Sequence, residues 1–248
     1  MPLWPLADVL DAAPAAGFRD VGLDDLTIVG AAPGDVATLL RARGLSCTDV
    51  GVLRVGAGDV RPQAEALAEL ASATGAGICI AALYTQTPEE ALPDLRTGAA
   101  ILADAGVRTA LEFAPYGGLQ TLADAVDVCA EIGWERCALL VDSWHFFRSD
   151  EPWPLLRSLD ADAIALVHVN DAPEPEHDLV HESRSRRVPP GAGTFPLDDF
   201  ADALEAIGYD GVVSVEVLSA ELRRRPPAEG ARELFDSLER FRSVRRVL

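Results

Sequence analysis

Residues 61–83 read RPQAEALAELASATGAGICIAAL. From Arg61 to Thr74 the stretch is rich in alanine and leucine at helical apolar spacing. Gly75 follows, and glycine is the residue that most readily takes the left-handed turn just past a helix end. Then comes the short apolar run Gly77–Leu83, which reads as a strand buried on both faces.

The same unit recurs along the chain. Gly17, Gly44, Gly75, Gly106 and Gly133 are spaced 27, 31, 31 and 27 residues apart, and Gly208 follows after an interval of 75. That interval leaves room for two units and one long loop. Each glycine precedes an apolar run: Phe18–Leu23, Leu45–Leu53, Gly77–Leu83, Val107–Phe113, Glu135–Val141 and Asp210–Val217, with Ala163–Val169 inside the long interval. Helix, glycine and buried strand in repetition mean a parallel sheet with helical crossovers, the α/β class. At about 30 residues per unit the chain predicts one (β/α)8 TIM-barrel domain over residues 1–248. An eighth strand must precede the first helix, Leu6–Ala16, where only Met1–Pro5 is available. The first strand is therefore predicted to be short or incomplete. A doubly wound open sheet is the alternative, but Gly56-Ala57-Gly58 is no Gly-x-Gly-x-x-Gly turn.

The 248 residues carry 40 Asp+Glu against 21 Lys+Arg, a formal charge of −19, and every one of the 21 bases is arginine. With no lysine, Schiff-base aldolase, pyridoxal-phosphate and Walker-A chemistry are excluded. The acidity opposes nucleic-acid binding. No apolar run approaches the length of a membrane span, and Met-Pro-Leu-Trp-Pro-Leu-Ala-Asp has no basic leader. Cys47, Cys79, Cys129 and Cys137 form no Cys-x-x-Cys pair and read as buried reduced thiols of a cytoplasmic protein.

In a barrel of this kind the chemistry gathers where strands end at their C-terminal side. Four successive runs carry one metal-capable side chain each near that end: Glu112, Asp142, His168 and Glu216. Ionisable groups in apolar strands cost several kcal/mol unless paired or bound to a cation. One such residue reads more readily as a satisfied core group; four on consecutive strands point to a shared site. Three carboxylates and an imidazole suit one divalent ion, Mn²⁺, Co²⁺, Mg²⁺ or Zn²⁺. Such an ion could chelate the adjacent carbonyl and hydroxyl of a keto-sugar and stabilise an enediolate.

The motifs Leu-Glu112-Phe, Val-Asp142-Ser-Trp-His145, Val-His168-Val-Asn-Asp171, Arg187-Val-Pro-Pro-Gly191-Ala-Gly193 and Val-Glu216-Val, in this order, resemble the xylose-isomerase-like TIM-barrel superfamily of sugar phosphate isomerases and epimerases. The resemblance implies that Glu112, Asp142, His168 and Glu216 hold the metal and that Glu112 and Glu216 exchange the substrate proton. It also implies that His145 contacts a substrate hydroxyl and that Arg187 holds a substrate oxygen. Trp144 and Phe146, flanking His145, could line the pocket, as could Trp4 and Trp153. The expected activity is a metal-dependent isomerase or epimerase of a small keto-sugar, sugar phosphate or polyol. A lyase such as inosose or dehydroshikimate dehydratase is the alternative on the same scaffold, and a non-catalytic partner subunit a further one. The related abasic-site endonucleases are set aside, since they need many more histidines than the four present.

The chain departs from the family at three places, and one of them is the Pro-Gly turn, where Ala192 stands in place of a frequent acidic residue. Asp20-Val-Gly22-Leu stands where relatives often show Val-Glu-Leu, so a second-strand polar group is expected to be missing. The short first strand leaves an edge that a second copy, in a homo-oligomer, could complete. In the loop Ala172–Pro190, His177 and His181 sit among Glu174, Glu176, Asp178 and Glu182. The loop reads as a solvated one, with a lid over the pocket as the functional alternative.

Overall fold

The computed structural model describes residues 4–84, 86–241 and 246–247. In chain order the elements are α1 (Leu6–Ala16), β1 (Asp20–Asp24), α2 (Pro33–Arg43), β2 (Ser46–Val55), α3 (Val60–Thr74), β3 (Ile78–Leu83), α4 (Pro88–Asp104), β4 (Arg108–Glu112), α5 (Leu122–Ile132) and β5 (Cys137–Asp142). They continue with α6 (Ser143–Arg148), α7 (Trp153–Leu156), β6 (Ile164–Val169), α8 (Leu179–Ser185), α9 (Leu197–Ala206), β7 (Val212–Val215), α10 (Pro227–Ser237) and β8 (Arg246–Val247). All eight strands pair in parallel with their sequence neighbours, in the order β1 to β8. This is the TIM-barrel arrangement, and the seven apolar runs read from the sequence are its first seven strands.

The six repeat glycines, Gly17, Gly44, Gly75, Gly106, Gly133 and Gly208, all have positive φ. That conformation is cheap for glycine and costly for other residues, so each helix is stopped where the next strand must begin.

The edge of the barrel is where the sequence predicts a short or incomplete first strand. Of the segment Met1–Pro5, residues 1–3 lie outside the described residues, and Trp4 and Pro5 are not in a strand. Beyond β7 a short strand comes from the other end of the chain: Arg246 and Val247 pair with Val212 and Val213. Among the described residues no ladder joins β8 to β1. A cavity of about 440 Å³ opens on this side, lined by β1, β7, α1 and α10 and reaching His168 and Glu216.

Side chains alternate across a strand, so one set faces the helices and the other the barrel axis. The outer set forms the large core with the helices; Leu53, Leu95, Leu102, Leu111 and Phe113 in it are fully buried. The inner set stacks Ile80, Ala110, Leu140, Leu166 and Val212 into a plug. Burying a leucine of this kind contributes about 1.5–3 kcal/mol. Two residues onward from Ala110, Leu140 and Leu166 stand Glu112, Asp142 and His168. The period of two therefore places these polar groups on the axis, one layer above an apolar floor.

Candidate functional site

Strand register brings Asp142, His168 and Glu216 into one group and places Glu112 beside Asp142. Asp142 pairs directly with His168, and Glu112 pairs with Leu140 of the same strand as Asp142. Glu216 follows β7 and continues its ladder, its backbone N–H donating to Val169 O at 3.2 Å. Donor atoms of Asp142, His168 and Glu216 lie within 4.8 Å of one another, and so do those of Glu112, Asp142 and His145. Asp142 is thus common to two triads.

His168 is buried, and its Nδ1 has no hydrogen-bond partner among the described residues. That nitrogen lies 3.7 Å from Glu216 Oε2 and 3.9 Å from Asp142 Oδ2. A buried imidazole nitrogen aimed between two carboxylates, too far from either for a hydrogen bond, is the geometry of a ligand set for a cation. Asp142, His168 and Glu216 fit a divalent ion by donor chemistry and by this orphaned atom, and Glu112 stands with Asp142 and His145 beside them.

Asp142 is held in place from several sides. Its Oδ1 caps α6, accepting from the backbone N–H of Trp144 at 2.7 Å and of His145 at 3.2 Å. Asn170 Nδ2 donates to both of its oxygens. Burial works to raise its carboxyl, but the charge of Arg187 and the imidazoles of His145 and His168 outweigh it, lowering it to about 2. Glu112 is also held below its ordinary range: burial is opposed by His145, whose Nε2 stands 3.5 Å from Glu112 Oε1. Glu216 moves the other way. Its burial and the neighbouring carboxylates prevail over His168 and Arg187. His168 is raised, the surrounding carboxylates overcoming its desolvation.

Arg187 enters the site from the segment after α8. It is 1% exposed, and its Nη1 donates to Asp142 Oδ2 at 2.8 Å and to Glu216 Oε2 at 2.9 Å. Its Nε is anchored on Ser183 O and its Nη2 on Ser183 Oγ, with the Trp144 ring beneath the guanidinium. Trp144 and Tyr116 pack against His145, and Tyr116 Oη bonds Ser183 Oγ at 2.9 Å. Phe146 sits elsewhere: its ring packs with Phe147, Trp153 and Phe200 in the outer core. Successive side chains of α6 turn about 100° around the helix, so Phe146 need not share the side of His145. Trp153 has the same packing role, whereas Trp4 lines the edge cavity and donates through Nε1 to Arg223 O.

The loop from 172 to 190 is less solvated than its composition suggests. It contains α8, whose Glu182 is fully buried. Glu182 accepts from Arg148 Nε at 2.6 Å, Trp144 Nε1 at 3.0 Å and Glu176 N at 2.7 Å. His181 remains on the surface side, with its side chain 56% exposed. The Pro-Gly turn is pinned by Asp171, whose carboxylate accepts from the backbone N–H groups of Ala172, Gly191, Gly193 and Phe195.

Sequence reasoning assigned no role to Asn170, Asp171, Tyr116, Glu182 or Asp49. Asn170 and Asp171 stand two and three residues after His168 and could have been found as strand-end polar groups. Asp49 was visible as a charge inside the apolar run Leu45–Leu53. The Asp49 carboxylate lies over Gly22, where a Cβ would collide with Asp49 Oδ2.

The xylose isomerase-like TIM barrel matches this chain over residues 10–241. The chain belongs to this family. Within the xylose isomerase-like proteins it is 34% identical over 119 residues to an inosose isomerase of Bacillus velezensis, covering 47% of this chain and 41% of that one. It is 29% identical over 248 residues to a 3-dehydroshikimate dehydratase of Pseudomonas aeruginosa, covering 94% of this chain and 39% of that one. The matches thus span about two fifths of the length of these curated relatives. The crystal structure of the IOLI protein with a bound zinc atom superimposes with a TM-score of 0.84 at 20% identity, covering 95% of this chain and 92% of that one. At that identity the likeness is one of fold. Among the described residues no helix is long and apolar enough to cross a membrane.

Proposed function

We propose that the protein is a divalent-metal-dependent isomerase or epimerase of a small keto-sugar or polyol. The observation that carries this reading is the orphaned Nδ1 of buried His168, directed at Asp142 and Glu216 with Glu112 two strands away. Glu112, Asp142, His168 and Glu216 would hold the ion. The chemistry it supplies when bound is Lewis-acid polarisation of a substrate carbonyl.

The chain's own residues do the rest. Glu112 and Glu216 stand on strands with β5 and β6 between them, so they approach a bound substrate from different sides. One removes a carbon-bound proton and the other returns one. Arg187 fixes a substrate oxygen beside Asp142 and Glu216, and His145, oriented by Glu112, receives a hydroxyl. Trp144, Tyr116 and α8 close that side against water.

A dehydratase is the second reading. The match to 3-dehydroshikimate dehydratase runs over 94% of this chain, whereas that to inosose isomerase covers 47%. Incubation in D₂O with inosose and with 3-dehydroshikimate separates the two. The isomerase reading predicts deuterium uptake from solvent without loss of water. It predicts loss of activity with chelator, recovery with Mn²⁺ or Co²⁺, and no exchange in Glu112→Gln or Glu216→Gln. Elimination of water from 3-dehydroshikimate alone would install the dehydratase in its place.

A further inference from the structure

Tyr116 stands in the turn that follows β4, four residues beyond Glu112. Backbone contacts hold this turn. Ala114 N–H donates to Leu119 O at 2.8 Å, Gly117 N–H to Ala114 O at 2.9 Å, and Gly118 N–H to Leu83 O, at the end of β3, at 3.0 Å. A Cβ at Gly118 would overlap Gln86 O, so glycine is what lets the turn lie against that segment. From this fixed position the Tyr116 ring packs on His145 and Trp144, with centroids 5.8 Å and 6.0 Å apart. That is the side of the site where His145 Nε2 faces Glu112 Oε1.

The direction of the Tyr116 hydrogen follows from its neighbour. Ser183 is fully buried, and among the described residues its Oγ has two hydrogen-bond partners: Arg187 Nη2 at 3.0 Å and Tyr116 Oη at 2.9 Å. A guanidinium only donates, so Arg187 uses the Ser183 oxygen as an acceptor. The Ser183 hydrogen is left with one acceptor, Tyr116 Oη, and a buried O–H without a partner is costly. Ser183 therefore donates to Tyr116, and the phenol's own hydrogen is turned away from Ser183. No acceptor meets it among the described residues. Burial pushes the phenol above its usual range, so it keeps that hydrogen at neutral pH. Tyr116 is only half-buried, so a ligand can reach its hydroxyl. Arg187 already donates to Asp142, Glu216 and Ser183, and Glu112, Asp142 and Glu216 are carboxylates. The Tyr116 hydroxyl adds to them a neutral donor with an uncommitted hydrogen.

We propose that Tyr116 is a specificity-determining residue of this site and donates a hydrogen bond from Oη to a substrate hydroxyl oxygen on the Glu112–His145 side. This rests on the isomerase reading above. A donor whose direction is set by Ser183 discriminates a ring carbon that carries a hydroxyl from one that does not, whereas a purely structural tyrosine would leave that discrimination alone.

The test compares wild type and Tyr116→Phe, both loaded with Mn²⁺, on inosose and on its monodeoxy analogues, each lacking one hydroxyl. KM, or the inhibition constant where an analogue is not turned over, and metal content are measured on every sample. Tyr116→Phe keeps the ring on His145 and Trp144 and removes the hydroxyl alone. It is expected to raise KM for inosose about tenfold, with a smaller effect on kcat and wild-type metal content. One analogue, the one without the bonded oxygen, should bind wild type and variant equally, while the others keep the gap. Turnover of inosose with KM unchanged in Tyr116→Phe would overturn this inference and leave the isomerase reading standing. An equal loss on inosose and on every analogue would overturn it too, as the mark of a structural role. Loss of metal in Tyr116→Phe would do the same, by making Tyr116 a support of the ligand cluster. Failure of wild type to bind or convert inosose would remove the isomerase reading and this inference with it.

Discussion

The guanidinium of Arg187 donates through Nη1 to Asp142 Oδ2 at 2.8 Å, and neither side chain is more than 2% exposed. The same nitrogen reaches Glu216 Oε2. One cation therefore balances two of the carboxylates assigned to a metal ion. Removing one partner of a buried pair strands the other charge and costs about 3–5 kcal/mol. Arg187→Met is expected to lower the stability of the metal-free protein by that amount. A divalent ion supplies positive charge to the same carboxylates, so it should stabilise Arg187→Met more than wild type. Denaturant unfolding with and without Mn²⁺ reads both; equal stabilisation of the two proteins would contradict this.

Glu182 ties α8 to α6 through Arg148 and Trp144. With its side chain fully buried, Glu182→Gln leaves Arg148 without its anion. A destabilisation of about 3 kcal/mol is expected, and cleavage within residues 172–190 should accelerate. Limited proteolysis followed by mass spectrometry locates the cuts. Protection equal to wild type would show that α8 is held by other contacts.

Acid should release Asp142. Its carboxyl lies at about 2 in the folded protein against an ordinary 3.8, because Arg187 and the two imidazoles outweigh its burial. A lowered value contributes stability that is complete above about pH 4 and is lost as pH falls through about 2. The contribution is of the order of 2 kcal/mol. Thermal melting of metal-free protein between pH 5 and pH 2 should show a steeper fall in wild type than in Asp142→Asn. Parallel curves would contradict the assignment.

The cysteines should be inert. All four are buried, and burial pushes the Cys47 and Cys79 thiols up to about 12. Since the thiolate is the reactive form, a thiol reagent at neutral pH should label none of the four until denaturant is added. Rapid labelling of native protein would show that one of these sites opens.

The barrel was legible in the sequence because its signals are local. A glycine at positive φ and an apolar run are both read within a few residues, as at Gly75 and Gly77–Leu83. The positions proposed as ligands were legible for a related reason. Strand alternation and parallel register turn a position near a strand's end into a position on the barrel axis, which brought Glu112, Asp142 and His168 together. What escaped depends on partners distant in sequence. Glu182 looked like one acid in a charged loop, and its burial follows from Arg148 and Trp144, 34 and 38 residues away. Phe146 looked like a neighbour of His145, but a helix sends adjacent side chains in different directions. The pairing of Arg246 and Val247 with β7 joins two segments that no local pattern relates.

The central claim is that Glu112, Asp142, His168 and Glu216 hold one divalent cation, and equilibrium dialysis of the metal-free protein against Mn²⁺ and Zn²⁺ tests it most directly. The account predicts saturation at about one ion per chain, with affinity reduced about tenfold or more in His168→Ala and in Glu216→Gln, and falling as pH is lowered, since the surrounding carboxylates favour the protonated His168. Less than about a tenth of an ion bound at saturation, or binding that those substitutions leave unchanged, would contradict it.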